Sequence, residues 1–165
     1  MLEKLISNLI KKEINLQFGS YNKSITLLEN NGLDFEKSLT ITPKDGIATI
    51  ELTPIIYQSQ IARFPSVDTD NAFANVVHKI KSEYDQINIE VLEMDLNSYY
   101  DDSKLNQYFT LSIDAELSEN TDMDSFINNL QTIQVEFQSL TDLIIRKVSK
   151  AILAMAVNYQ LAKAA

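Results

Sequence analysis

Residues 66–165 contain neither glycine nor proline, so nothing in that stretch obliges a regular element to break. Within it Phe126, Leu130, Ile133, Phe137, Leu140, Ile144 and Val148 step by 4, 3, 4, 3, 4 and 4, with Ile152 following. That is the spacing of one helix face. It predicts a helix over about 124–162, which at 1.5 Å per residue is roughly 58 Å long. A domain of this size is narrower than that. Either the helix bends near Ser139-Leu140-Thr141-Asp142, where capping residues cluster, or its distal half projects. A projecting end carrying Ile152, Leu153, Met155, Val157 and Tyr159 exposes too much apolar surface for a free monomer. That end is therefore expected to pack on another chain, with Ile144, Val148, Ile152, Met155 and Tyr159 as self-association residues. Truncation after Leu140 is then expected to change the oligomeric state without unfolding the core.

Upstream, the periods alternate between helix and strand. Leu2, Leu5, Ile6, Leu9 and Ile10 recur at helical spacing and predict an amphipathic helix over 2–13. Ile14, Leu16 and Phe18, then Ile25 and Leu27, form two short alternating stretches separated around Gly19, and Asn30-Asn31-Gly32 is a turn signal. Residues 38–53 read as a hairpin: Leu39 and Ile41 open a strand, and Ile47–Leu52 return from the Pro43-Lys44-Asp45-Gly46 turn. Proline is expected to preset φ in that turn and glycine to supply the positive φ. Arg63–Asp68 reads as a crossing loop. Asp68-Thr69-Asp70 offers N-caps for a helix over 70–84 carrying Phe73, Val76, Val77, Ile80 and Tyr84. Ile87, Ile89 and Val91 alternate in a strand whose phase shifts after Leu92, suggesting a bulge or a strand end. Phe109, Leu111, Ile113, Ala115 and Leu117 alternate with Thr110, Ser112, Asp114 and Glu116, the pattern of an antiparallel strand with one wet face. The expected fold is α+β: an antiparallel sheet of about five strands, an N-terminal helix, one crossing helix and a long C-terminal helix. No repeat divides the 165 residues, so a single domain is expected.

Charge narrows the partners. From Glu83 to Asp124 twelve acids face one cation, Lys104, a net −11, while the rest of the chain carries +2. Such a segment repels phosphate backbones, so nucleic acid is not an expected partner. It serves solubility or steers a basic partner. The longest apolar run, Ala151–Val157, is too short to span a bilayer, and Met1–Glu13 lacks the pattern of a signal peptide. A soluble, cytoplasmic protein without membrane insertion is expected.

The inventory of reactive groups is thin. There is no cysteine, which removes disulfides, thiolate metal sites and cysteine nucleophiles together. His78 is the one histidine, so a two-histidine metal site cannot form; on helix 70–84 it reads as a surface residue. Ser20-Tyr21-Asn22-Lys23 matches a Ser-x-x-Lys pattern without its companion motifs and is better described as a turn before a strand. Asp95–Asp102 begins like a calcium loop, but Tyr100 occupies the required glycine position and Asn106 the bidentate glutamate position. The three glycines are far apart, so no phosphate-cradling loop exists, and the absence of tryptophan is a poor supply for sugar stacking. Neither cofactor nor metal is expected, and no catalytic residue is assigned.

In element order and acidic character the chain resembles the type III secretion chaperone-like superfamily, including its sensory-transduction-regulator (YbjN-type) branch. The match is best over 39–140: the hairpin Leu39–Thr53, the Phe64-Pro65 loop, helix 70–84, the strand pair Ile87–Leu96 and Tyr108–Leu117, and the helix opening near Asp124. The C-terminal helix is longer than that pattern, and segment 14–36 adds a strand-like stretch. The resemblance implies a small, often dimeric protein that binds extended or partly unfolded client chains on apolar grooves; it carries over no functional residue. The expected function is a protein-binding module, a chaperone or adaptor with no catalysis. Leu2, Leu5, Ile6, Leu9 and Ile10 are expected to meet the client, and a homodimer is favoured. A structural subunit of a secretion or phage-like assembly is the alternative, and an acid-based enzyme or calcium-binding domain the third.

Overall fold

A computed structural model describes residues 1–19, 23–28, 38–57, 60–62, 64–92 and 107–164. The turn at 30–32, the Ser20–Asn22 part of the Ser-x-x-Lys pattern, Arg63, the phase shift after Leu92 and the calcium-like loop at 95–102 lie outside the described residues. The elements are α1 (Leu2–Lys11), β1 (Leu16–Phe18), β2 (Ile25–Leu27), β3 (Thr40–Lys44), β4 (Ile47–Leu52), β5 (Ile55–Ile56), α2 (Thr69–Glu83), β6 (Asn88–Val91), β7 (Gln107–Glu116) and α3 (Met123–Ala164). This is the α+β order expected, with the strands joined in antiparallel pairs. The chain forms two compact units, Met1–Pro54 with Thr110–Gln138, and Ile55–Phe109 with Ser139–Ala165. Strand β7 and helix α3 supply residues to both.

In the first unit the sheet order is β1-β2-β3-β4-β7. One row crosses it: Phe18 opposite Ile25, Ile25 opposite Ile41, Ile41 opposite Ile50, and Ile50 opposite Ile113. Ile25, Ile41 and Ile50 are wholly buried. Because side chains alternate along a strand, the intervening positions form the wet face, with Thr42, Thr49 and Asp114 in one row and Thr49 donating to the Asp114 carboxylate at 2.9 Å. Leu39, Ala48, Leu52, Leu111 and Leu117, with Leu5 and Leu9 of α1 and Met123, Phe126, Ile127, Leu130, Ile133 and Phe137 of α3, are buried in the same unit.

The β3–β4 hairpin departs from the sequence reading in one detail. Lys44 pairs with Ile47, so the loop is two residues, Asp45-Gly46, and both have positive φ, 53° and 81°. This is the turn of the I′ kind, whose twist matches the flanking strands. Pro43 is not a turn residue; it lies in β3 opposite Ala48. Its missing N–H faces β2, whose pairing with β3 covers only Thr40 and Ile41, so no ladder bond is lost there.

Helix α1 ends in a Schellman arrangement. The Ile14 N–H donates to the Leu9 carbonyl and the Glu13 N–H to Ile10, with Glu13 at φ 59° where glycine is usual. An ion pair of 3.1 Å joins Lys12 to Asp124. Helix α3 opens on Asp122, whose carboxylate accepts from the backbone N–H groups of Asp124 and Ser125 and from the Ser125 hydroxyl. The Ser125 hydroxyl first, then the two backbone N–H groups, hold the Asp122 carboxyl below its ordinary value.

In the second unit Ile55 and Ile56 pair with Tyr108 and Gln107 at the start of β7. Asp68 caps α2 by accepting from the Asn71 N–H at 3.1 Å. Phe73, Val77 and Ile80 of α2 are buried, and the Phe73 ring meets Phe109 edge-on with centroids 6.2 Å apart. Tyr84 caps the helix rather than joining its core face and is partly exposed. Among the described residues no helix is long and apolar enough to cross a membrane.

Candidate partner-binding surface

The 42 residues of α3 are one uninterrupted helix. Its buried positions from Leu140 onward are Leu140, Ile144, Val148, Ile152 and Ala156, each four residues from the last. At about 100° per residue, each step of four advances the stripe by roughly 40°. After Ala156 no residue of α3 is buried. Leu153, Val157 and Leu161 form a second stripe at the same spacing, 48%, 56% and 64% exposed. It lies on the opposite side from Val148 and Ile152, while Tyr159, also exposed, continues the buried side. The last turns are thus apolar on two faces. Such a helix end is stable when something covers it.

The self-association residues read from the sequence therefore separate. Ile144, Val148 and Ile152 have no exposed surface and belong to the core of the second unit; Met155 is part-exposed and Tyr159 exposed. Truncation after Leu140 would remove these core residues, so the earlier expectation of an intact core is corrected: the removable segment begins after Ala156. The periodicity gave the helix and its main stripe but mixed the two faces, because Ile152 and Leu153 are adjacent in sequence and equally apolar. Charge was the signal that separates this end from the rest: residues 143–165 carry Arg146, Lys147, Lys150 and Lys163 and no acid.

On α1, Leu5 and Leu9 are wholly buried, Leu2 and Ile6 part-exposed, and Ile10 is 61% exposed. Only Leu2, Ile6 and Ile10 of the expected client set present surface. The 3.6-residue period places all five on one side of the helix, and burial then divides that side into a base and a rim. Phe18 is exposed as well, at the outer end of the isoleucine row.

The other candidates are plainly placed. His78 is exposed on α2. Among the described residues no group of three or more His, Asp or Glu side chains could hold a metal ion. An open cleft of about 430 Å³ in the second unit is lined by Gln60, Ser139, Asp142, Ile145 and Arg146. There Arg146 Nε donates to the Asp142 carbonyl at 3.4 Å, and nearby the Ser149 hydroxyl donates to the Gln60 carbonyl at 3.2 Å.

No family model and no curated protein matches the chain. Among solved structures, the chain is similar to E. coli YbjN, a proposed transcription regulator, at 10% identity and TM-score 0.48, over 96% of this chain and 93% of that one. It is similar also to an uncharacterized protein from Methanothermobacter thermautotrophicus, at 11% identity and TM-score 0.46, over 98% and 99%. At these identities the likeness is one of fold.

Proposed function

We propose that this chain is a polypeptide-binding module, a chaperone or adaptor that works through exposed apolar side chains and not through catalysis. The observation that carries the reading is the end of α3, where Leu153, Val157, Tyr159 and Leu161 stand exposed on a helix that has left its own core. An aromatic and aliphatic patch among cations fits a protein interface better than a solvated surface. On this reading the rim of α1, Leu2, Ile6 and Ile10 above Leu5 and Leu9, receives a client segment, and Met155 and Tyr159 with the Leu153 stripe join a second copy. The protein then acts as a cytoplasmic homodimer.

Native mass spectrometry on protein purified gently from its own host tests this. A homodimer arriving with varied, substoichiometric polypeptides supports the chaperone or adaptor reading. One fixed partner in constant ratio replaces it with a structural subunit of a larger assembly, and a bare monomer overturns it. Truncation after Ala156 should then lower the mass from dimer to monomer while the far-ultraviolet spectrum keeps its sheet and helix signals.

A further inference from the structure

Helix α1 is attached to the first unit chiefly through two side chains. Among the described residues, every hydrogen bond made by Met1–Ile14 closes within that segment. The Asn8 amide donates to the Lys4 carbonyl, and the backbone N–H groups of Lys12, Glu13 and Ile14 donate to carbonyls of α1. No side chain caps its first turn. Leu5 and Leu9 are wholly buried, whereas Glu3, Lys4, Ser7, Ile10 and Lys11 are exposed. Gln17, Thr42 and Asp114 leave the wet face of the sheet open, so the two leucines sit on its apolar side. One polar link leaves the segment, the Lys12–Asp124 ion pair; both side chains are well exposed, so water and salt screen it. The sheet takes hold of the chain only at Asn15, whose carbonyl accepts from Leu28. Between the helix and that anchor stands Glu13 at φ 59°, a strained conformation that relaxes when the closure opens.

We infer that α1 is a hinged arm, which leaves its seat as one piece about Lys12–Ile14 while the sheet stays folded, and that its seating regulates the client surface. The inference rests on the reading above for the client, and on the attachments of α1 for the hinge. Seated, the arm presents only Leu2, Ile6 and Ile10. Released, it presents Leu5 and Leu9 as well and uncovers the apolar surface they occupied, so both sides of the joint offer area to a partly unfolded chain. The five residues at helical spacing then act together, which the seated form prevents. The strands do not share the opening, because none of their ladder bonds involves α1. A helix of ten residues is too short to persist in water by itself, so the arm loses its helical bonds on release and recovers them against a client. Each opening is therefore visible at the α1 amides.

The test acts on the hinge and leaves the apolar surfaces alone. Glu13 is exposed and belongs to neither the seat nor the rim. Glu13→Gly favours the seated closure, and Glu13→Val, whose branched side chain resists positive φ, favours release. Both remove the same charge, so their ratio isolates the backbone. A third form, Lys12→Cys/Asp124→Cys joined by a short thiol cross-linker, holds the arm down; the chain has no other cysteine. In the full-length parent, amides at Leu9–Lys11 should exchange about a hundredfold faster than those of β3 and β4. Exchange there should be about tenfold faster in Glu13→Val than in Glu13→Gly, and slowest in the cross-linked form. The binding probe is reduced, carboxamidomethylated ribonuclease, a chain that cannot refold. Its affinity should follow the same order, by about the same ratio, since it scales with the fraction of open arm. The inference is overturned if the α1 amides exchange no faster than those of β3 and β4, or if the two Glu13 variants exchange alike. If every form binds the probe equally, the client reading stands and the regulation falls. If none binds it while α1 exchange still follows Glu13, the hinge stands and the client reading falls.

Discussion

Ile152 and Leu153 are neighbours of nearly equal size, one without exposed surface and the other half-exposed. Ile152→Ala deletes three carbon groups from a closed site, about 2.4 kcal/mol at 0.8 kcal/mol each, to which the residual cavity adds. Alanine's better helix propensity returns a few tenths, leaving an expected loss of about 3 kcal/mol. Leu153→Ala loses only partial burial and gains a comparable propensity term, so its effect on the isolated chain should stay within about 0.5 kcal/mol. Urea unfolding at two protein concentrations separates core from interface. With a slope of about 2 kcal/mol per molar, the Ile152→Ala midpoint should fall by roughly 1.5 M, equally at both concentrations. A loss below about 1 kcal/mol, or one that changes with concentration, would refute the assignment of Ile152 to the chain's own core.

Three further outcomes follow from the backbone and the caps. Glu13→Gly should raise stability by up to about 1 kcal/mol in urea unfolding, since relief of a left-handed side chain (about 1–2 kcal/mol) exceeds the entropy glycine adds to the unfolded chain (about 0.4–1 kcal/mol). Gly46→Ala should cost about 1 kcal/mol by the same route, through φ alone, because a Cβ there meets nothing within 4 Å. The lowered Asp122 carboxyl gives folding a preference for its ionised form. That contribution is present above the ordinary value of 3.8 and lost as pH falls through the lower folded value. Asp122→Asn should therefore flatten the acid limb of a Tm–pH profile and leave the neutral limb parallel to the parent; an unchanged acid limb would refute it.

What could be read from sequence followed the strength of each periodic signal. The Leu39–Thr53 hairpin, the Asp68 cap and the Phe109–Leu117 strand are local patterns, and the structure has them, except that Thr110, read on the wet face, is buried. Glu13 in a glycine conformation carries no such mark in the sequence, since the residue usual at that position is glycine. The two-residue β5 is too short for any period. The candidate surface was legible as a region and not as residues: Ile144, Val148 and Ile152 satisfy the helical spacing as well as Leu153 and Val157 do, and only the surrounding chain decides which are enclosed. The I′ turn was misassigned to proline for a related reason, since Pro43 is a frequent turn residue whose place in β3 depends on β2 stopping short.

Both compact units draw on β7 and on α3. Neither unit has its full complement of strands and helix until residues beyond 107 exist, and the second needs α3 nearly to its end. Ile50 of the hairpin pairs with Ile113, sixty-three residues downstream, and Phe73 of α2 meets Phe109, thirty-six residues downstream. Contacts of such separation close slowly and leave apolar surface open meanwhile. During synthesis Ile50 and Phe73 therefore lack these partners until β7 has been made, and each unit then takes its own segment of α3.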